Sequence, residues 1–200
     1  MTRNKKPPLK LIAITGGIGS GKSTAANIIK AAGYPVLSCD EITADLYKKA
    51  EVKRELKKLF PTAVTGEKRL SANKKEIARL CFNDDDNYKN LCGLLTTKTF
   101  EVAMKKAKRL GGTVFMEVPL LFEYGLQNEF FAVIVVKRND DARIAGVIGR
   151  SAITKEEVIA RMNRQFDYSS ADLSKFVVIQ NDGTTKELKS KLLSAIKKLL

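Results

Sequence analysis

The chain contains no histidine in its 200 residues. That absence removes a histidine general base, a Ser-His-Asp triad and most catalytic zinc sites. Any proton must then be moved by Asp, Glu, Lys, Tyr or Cys. Cysteine is scarce too: Cys39, Cys81 and Cys92 are an odd set with no C-x-x-C spacing. Such a set fits neither a disulfide framework nor a zinc site, and predicts plain thiols in a reducing, cytoplasmic setting. No apolar run approaches the ~20 residues of a membrane span. The short run Leu9–Ile14 follows a basic, polar Met1–Pro8 and is not a signal peptide; residues 1–8 read as a flexible arm. Acidic residues are outnumbered, 22 against 36 basic, for a formal net charge of +14. A cationic surface suits nucleic acid or small polyanionic substrates. The lysines are spread along the chain, and no basic patch is interleaved with aromatics.

What is present is more telling. The run Gly16-Gly-Ile-Gly-Ser-Gly-Lys22-Ser23-Thr24 fits G-x-x-x-x-G-K-[ST], the phosphate-binding P-loop. Leu9–Ile14 before it reads as a buried strand, and Ser23–Ala32 after it as a helix. Glycines let backbone N–H groups converge on phosphate oxygens without a Cβ in the way. The helix N-terminus adds partial positive charge. Gly17, Ile18, Gly19, Ser20, Gly21, Lys22, Ser23 and Thr24 are therefore the expected ATP-binding residues. Lys22 would reach the β- and γ-phosphates, and the Ser23 hydroxyl would ligate Mg²⁺.

Short apolar strands alternate with longer helices along the rest of the chain. Gly33 stops the first helix, and Pro35–Leu37 is a brief second strand. Ser38 and Glu41 fit a capping box that opens a helix to about Lys49. Residues 51–110 are lysine-rich and read as an all-helical insertion, with Pro61–Leu70 a loop. Thr113–Val118 and Phe131–Val136 are apolar throughout, as strands covered on both faces should be. Asp141–Ile148 reads as helix, and Thr154 with Glu157 opens another to about Gln165. Phe176–Ile179 is a fifth strand, Asn181–Gly183 a turn, and the last helix aligns Leu188, Leu192, Ile196 and Leu199 on one face. The pattern predicts an α/β fold, a parallel sheet with helices on both sides, binding ligands beyond the carboxyl ends of its strands.

Several residues at those ends could carry chemistry. Asp40 directly follows the second strand and could take a proton from a substrate hydroxyl; its plainer role is helix capping. Glu117 could hold Mg²⁺ through water, or be a solvated strand-end acid. Arg143, Arg150, Arg161 and Arg164 could clamp phosphates or lie on solvated helix faces. Arg150 stands out because Gly149 and Ser151 set it in a turn. Asn181–Gly183 is a turn or a base-contacting loop.

At this point the chain resembles the dephospho-CoA kinase family, from about Leu11 to the C-terminus. The resemblance is carried by Thr15–Thr24, by Val36-Leu-Ser-Cys-Asp40 and by Val118-Pro-Leu-Leu-Phe-Glu-Tyr-Gly-Leu126. It continues through Arg150, the pair Arg161 and Gln165, and Asn181-Asp-Gly183. It implies a three-layer α/β/α P-loop kinase core over 9–50 and 111–200, with a mainly parallel five-stranded sheet. It also implies a lid over about 141–168 and a helical CoA-binding insertion over 51–110. The implied reaction is transfer of the ATP γ-phosphate to the ribose 3′-hydroxyl of dephospho-CoA. In that reading Asp40 activates the hydroxyl and Arg150 is the lid arginine. Pro119, Leu120, Leu121 and Glu123, with Arg161 and Gln165, serve the acceptor, and Asn181 serves ATP. Five positions depart from the family pattern: Ser38 and Glu117 for aspartates, Thr96-Thr97 for His-Pro, and Gly146 for arginine. The residues leave open a nucleotide or nucleoside kinase of the same fold, a nucleic-acid-binding NTPase, or a P-loop binding module without catalysis.

Overall fold

A computed structural model of the chain describes residues 7–151 and 153–200. Met1–Lys6, most of the expected arm, lie outside them. Pro7 is tied down, because its carbonyl accepts the Gly112 N–H at 3.2 Å.

The chain divides into two compact units. The first, Met1–Ser38 with Lys106–Leu200, is built on a five-stranded sheet. Its strands are β1 (Lys10–Thr15), β2 (Val36–Ser38), β5 (Thr113–Glu117), β6 (Ala132–Lys137) and β7 (Val177–Gln180). They lie in the order β2-β5-β1-β6-β7, and every neighbouring pair is parallel. The order places β1 at the centre, so the turn leaving its carboxyl end has strands on both sides.

Alternation along β1 explains why both faces are dry. Ile12 and Ile14 point into a core with Ala25 and Ile29 of α1 (Lys22–Ala31) and Leu188, Leu192 and Ile196 of α8 (Thr185–Leu199). Leu11 and Ala13, on the opposite face, are buried as well. The apolar face of α8 was legible as a helical repeat, and Thr184 and Glu187 close its capping box. Leu192 is fully buried. Leu192→Ala should therefore lower unfolding stability by about 2–5 kcal/mol in urea titration; a loss under about 1 kcal/mol would mean this cluster is not the core.

The second unit, Cys39–Lys105, begins earlier than the insertion expected over 51–110. It holds α2 (Cys39–Leu46), α3 (Ala50–Leu59), α4 (Lys74–Phe82) and most of α5 (Asp85–Leu110). It is not all-helical. β3 (Val64–Thr65) and β4 (Ser71–Ala72) form an antiparallel hairpin inside the stretch read as a loop. Strands of two residues are too short to show an alternating pattern, so the sequence carried no period to detect. Gly66, at φ +91, makes the bend, where a Cβ would overlap the Arg69 carbonyl. Val52, Leu56, Phe60, Val64 and Ile77 are among the buried apolar side chains of this unit. Tyr47 of the same unit is half-buried, and burial, with Cys81 and Cys92 adding to it, pushes its phenol up to about 12. In the first unit, α6 (Asp140–Ile148) and α7 (Lys155–Asn163) lie between β6 and β7 in the chain. Thr154 and Glu157 form the expected capping box on α7.

Candidate active site

The turn from β1 into α1 needs its glycines for two reasons. Gly16, Gly19 and Gly21 have φ of 145, 76 and 97, a region that side chains with a Cβ avoid. Neighbours also press on the loop: a Cβ at Gly16 would overlap the Val136 carbonyl, and one at Gly21 the Asn181 side-chain amide. Gly21 is the N-cap of α1 and offers no side chain to cap it, so the first-turn N–H groups remain available to an anion.

The loop backbone is gripped from three distant segments. Gln165, just past α7, accepts the Ile18 N–H on Oε1 at 2.7 Å. Arg143 of α6 donates from Nε to the Ile18 carbonyl at 2.9 Å, and its Nη1 meets Asp140 at 2.7 Å. Asn181, after β7, donates from Nδ2 to the Ser20 carbonyl at 2.8 Å. The loop's own Lys22 turns its ammonium onto the Gly16 and Gly17 carbonyls, at 2.6 and 2.9 Å. That places a cation at the mouth of the loop.

Ser23 and Glu117 come together although 94 positions separate them. The Ser23 hydroxyl donates to Glu117 Oε1 at 2.7 Å. Strand register explains the meeting, since Glu117 stands beside Ile14 of β1 and Ser38 of β2. Glu117 is 6% exposed, so it is a buried carboxylate at the loop and not a solvated strand-end acid. A hydroxyl and a carboxylate oxygen converging here form the hard donor set that Mg²⁺ prefers.

Beside the loop opens a cleft of about 670 Å³, bordered by Gly17, Ser20, Arg138, Arg143 and Asp182, a volume in the range of small-molecule sites. Asp182 is held below the usual carboxylate range, first by the Asn139 N–H, then by the Gln180 amide, with the charge of Arg138 adding to both. Phe122 stacks near Phe166, Tyr168 and Phe176, with ring centroids 4.6–5.8 Å apart. Glu123 accepts the Phe166 N–H at 2.9 Å. Burial pushes the Tyr168 phenol up to about 12. Tyr168 therefore stays neutral at working pH and pairs with the Thr15 hydroxyl at 3.3 Å.

The other expected residues are distributed as follows. Thr24 is exposed in the first turn of α1, and Pro119 and Leu120 are partly exposed after β5. Leu121 is fully buried, so its side chain packs and offers a ligand no surface. Gln165, expected at the acceptor, has its side-chain oxygen on the Ile18 amide. Arg150 lies exposed in the turn after α6, and Arg161 is exposed on α7. Asp40 is exposed in the first turn of α2, within the second unit. In the sequence Arg143 looks like its neighbouring arginines, and Arg138 and Tyr168 carry no local signal. Their places follow from sheet order, which no local spacing encodes.

A central parallel strand, a glycine loop with its lysine, a helix start and a serine–carboxylate pair define a P-loop kinase fold. The chain belongs to the dephospho-CoA kinase family: the model of that family, CoaE, matches residues 10–187. It is 34% identical to the dephospho-CoA kinase of Thermus thermophilus over 200 residues, covering all of this chain and 96% of that one. It is 31% identical to the dephospho-CoA kinase of Chlorobaculum tepidum over 198 residues, 95% of each chain. A crystal structure from Thermus thermophilus superposes with a TM-score of 0.80 at 34% identity, over 98% of this chain and 100% of that one. The dephospho-CoA kinase from Campylobacter jejuni, at 22% identity, shares the fold with a TM-score of 0.61 over 95% of this chain and 97% of its own. Membership in a kinase family does not favour a nucleic-acid-stimulated NTPase. Among the described residues no helix is long and apolar enough to cross a membrane.

Proposed function

We propose that the protein transfers the γ-phosphoryl group of Mg²⁺-ATP to the ribose 3′-hydroxyl of dephospho-CoA, giving coenzyme A and ADP in the cytoplasm. The observation that carries the donor half is the 2.7 Å pairing of Ser23 with Glu117 beside Lys22 and the glycine loop. The acceptor half rests on family membership along nearly the whole chain.

In this mechanism the loop amides and the α1 N-terminus hold the phosphates. Lys22 leaves the Gly16 and Gly17 carbonyls for the β- and γ-oxygens. Ser23 would ligate Mg²⁺ and Glu117 would orient it; the ion, when bound, neutralises charge on the phosphates. The acceptor oxygen attacks the γ-phosphorus, the bond to the β–γ bridging oxygen breaks, and ADP leaves. Asp40 takes the hydroxyl proton. Pro119, Leu120 and Glu123 with Arg161 serve the acceptor, and residues 51–110 receive the CoA tail. Residues 141–168 act as a lid, bringing Arg150 to the transferring phosphoryl group. Catalysis is then mostly positioning and electrostatics. The charge of +14 draws two polyanionic substrates inward.

The test is ADP release with dephospho-CoA against a panel of nucleoside monophosphates. Stimulation by dephospho-CoA alone is expected, and its absence would sink the assignment. Metal handling has its own test. Ser23→Ala and Glu117→Gln should each raise the Mg²⁺ concentration for half-maximal activity about tenfold or more. Binding of metal-free ATP should be unchanged. An unaltered Mg²⁺ dependence in both variants would remove this pair from the metal site.

A further inference from the structure

Two arginines border the cleft beside the loop, and they differ in what they already hold. Arg143 is committed, with Nε on the Ile18 carbonyl and Nη1 on Asp140. Arg138, the first residue past β6, is not. Its Nε is buried and has no hydrogen-bond partner among the described residues. The acids nearby are occupied: Asp140 by Arg143, and Asp182 by the Asn139 N–H at 2.7 Å and the Gln180 amide at 2.6 Å. A buried guanidinium N–H left unmet costs free energy, and an acceptor atom on a bound ligand would relieve that cost.

Gly146 of α6 gives this side chain its room. A Cβ at position 146 would stand 3.3 Å from Arg138 Nη1, a tight contact from which the guanidinium would have to give by a few tenths of an ångström. With no side chain at 146, the guanidinium of Arg138 reaches over this turn of α6 from the end of β6.

We infer that Arg138 is a nucleotide-recognition residue, its guanidinium lying against the base of ATP in the cleft. The inference rests on the reading that the loop holds ATP. With the triphosphate on Gly17 and Ser20, the ribose and base extend into the same cleft, since those two residues border it. A planar, weakly hydrated guanidinium suits the face of a purine, and a lysine ammonium does not replace that plane.

Calorimetry on the full chain, without acceptor, separates base from phosphate contact. ATP and inorganic tripolyphosphate are the two probes. Arg138→Ala should weaken ATP about tenfold while leaving tripolyphosphate within about twofold. Arg138→Lys should recover only part of the ATP affinity. Gly146→Ala should weaken ATP about two- to threefold while raising the melting temperature, because alanine is the better helix former; this opposite movement rules out general damage to the fold. Equal losses for ATP and tripolyphosphate would make Arg138 a phosphate ligand and overturn the inference. So would an Arg138→Ala protein that binds ATP as tightly as the parent. Because no acceptor is present, a protein inactive on dephospho-CoA would sink the proposed reaction and leave this result standing.

Discussion

Lys22→Ala is expected to reduce kcat/KM by about a thousandfold or more. The ammonium already sits at the loop mouth, 2.6 and 2.9 Å from two loop carbonyls. It needs only to exchange those for phosphate oxygens, so its charge is in place before the transition state forms. In a loose phosphoryl-transfer transition state the protein contributes little besides such charge and alignment. The truncation should not unfold the chain. Lys22 is only half-buried at the first position of α1, where alanine is a better helix former. Single-turnover kinetics with a parallel thermal melt checks both halves. A variant that keeps more than about a tenth of parental turnover would show that the loop amides and the metal suffice without the lysine.

Asp40→Asn is expected to lower kcat about 10²- to 10⁴-fold and leave ATP affinity within about twofold. The chain has no histidine, and Asp40 is the proposed base for the acceptor hydroxyl. Asparagine keeps the size and polarity of the side chain and removes its basicity. Asp40 is exposed in the first turn of α2. An acid there favours the helix dipole by only about 0.3–1 kcal/mol, so stability should hardly move. Loss of ATP affinity with turnover preserved would assign Asp40 to nucleotide binding and leave the reaction without its base.

The donor side was legible because its signal is local. Gly16, Gly21, Lys22 and Ser23 must stand at fixed spacing between a strand and a helix, and those requirements lie within one stretch of sequence. Apolar runs such as Phe131–Val136 and the repeat of Leu188, Leu192 and Ile196 gave the layers for the same reason. The support of the loop was not legible. Gln165 meets Ile18 across 147 positions, Asn181 meets Ser20 across 161 and Arg143 meets Ile18 across 125. Only the strand order β5-β1-β6-β7 brings them together. Neighbouring glycine and serine mark Arg150 out in the sequence, whereas Arg143, which bonds to the loop, looks there like any helix residue. The hairpin over Val64–Ala72 escaped because it is too short to have a period. Gly146 and Arg138 share no spacing rule at all; their relation exists only where α6 passes the end of β6.

The grip on the glycine loop also dictates when that loop can be complete during synthesis. A ribosome makes residues 16–24 well before the partners of their backbone, Arg143, Gln165 and Asn181. β1 itself lacks a neighbour on either side until β5 and β6 have been made. Non-local pairing of this kind forms late and slowly. A nascent chain halted just before Asn181 would display the whole phosphate-binding motif and still lack one of the three clamps on that loop. A loop clamped at all three points thus exists only after Asn181 has been made.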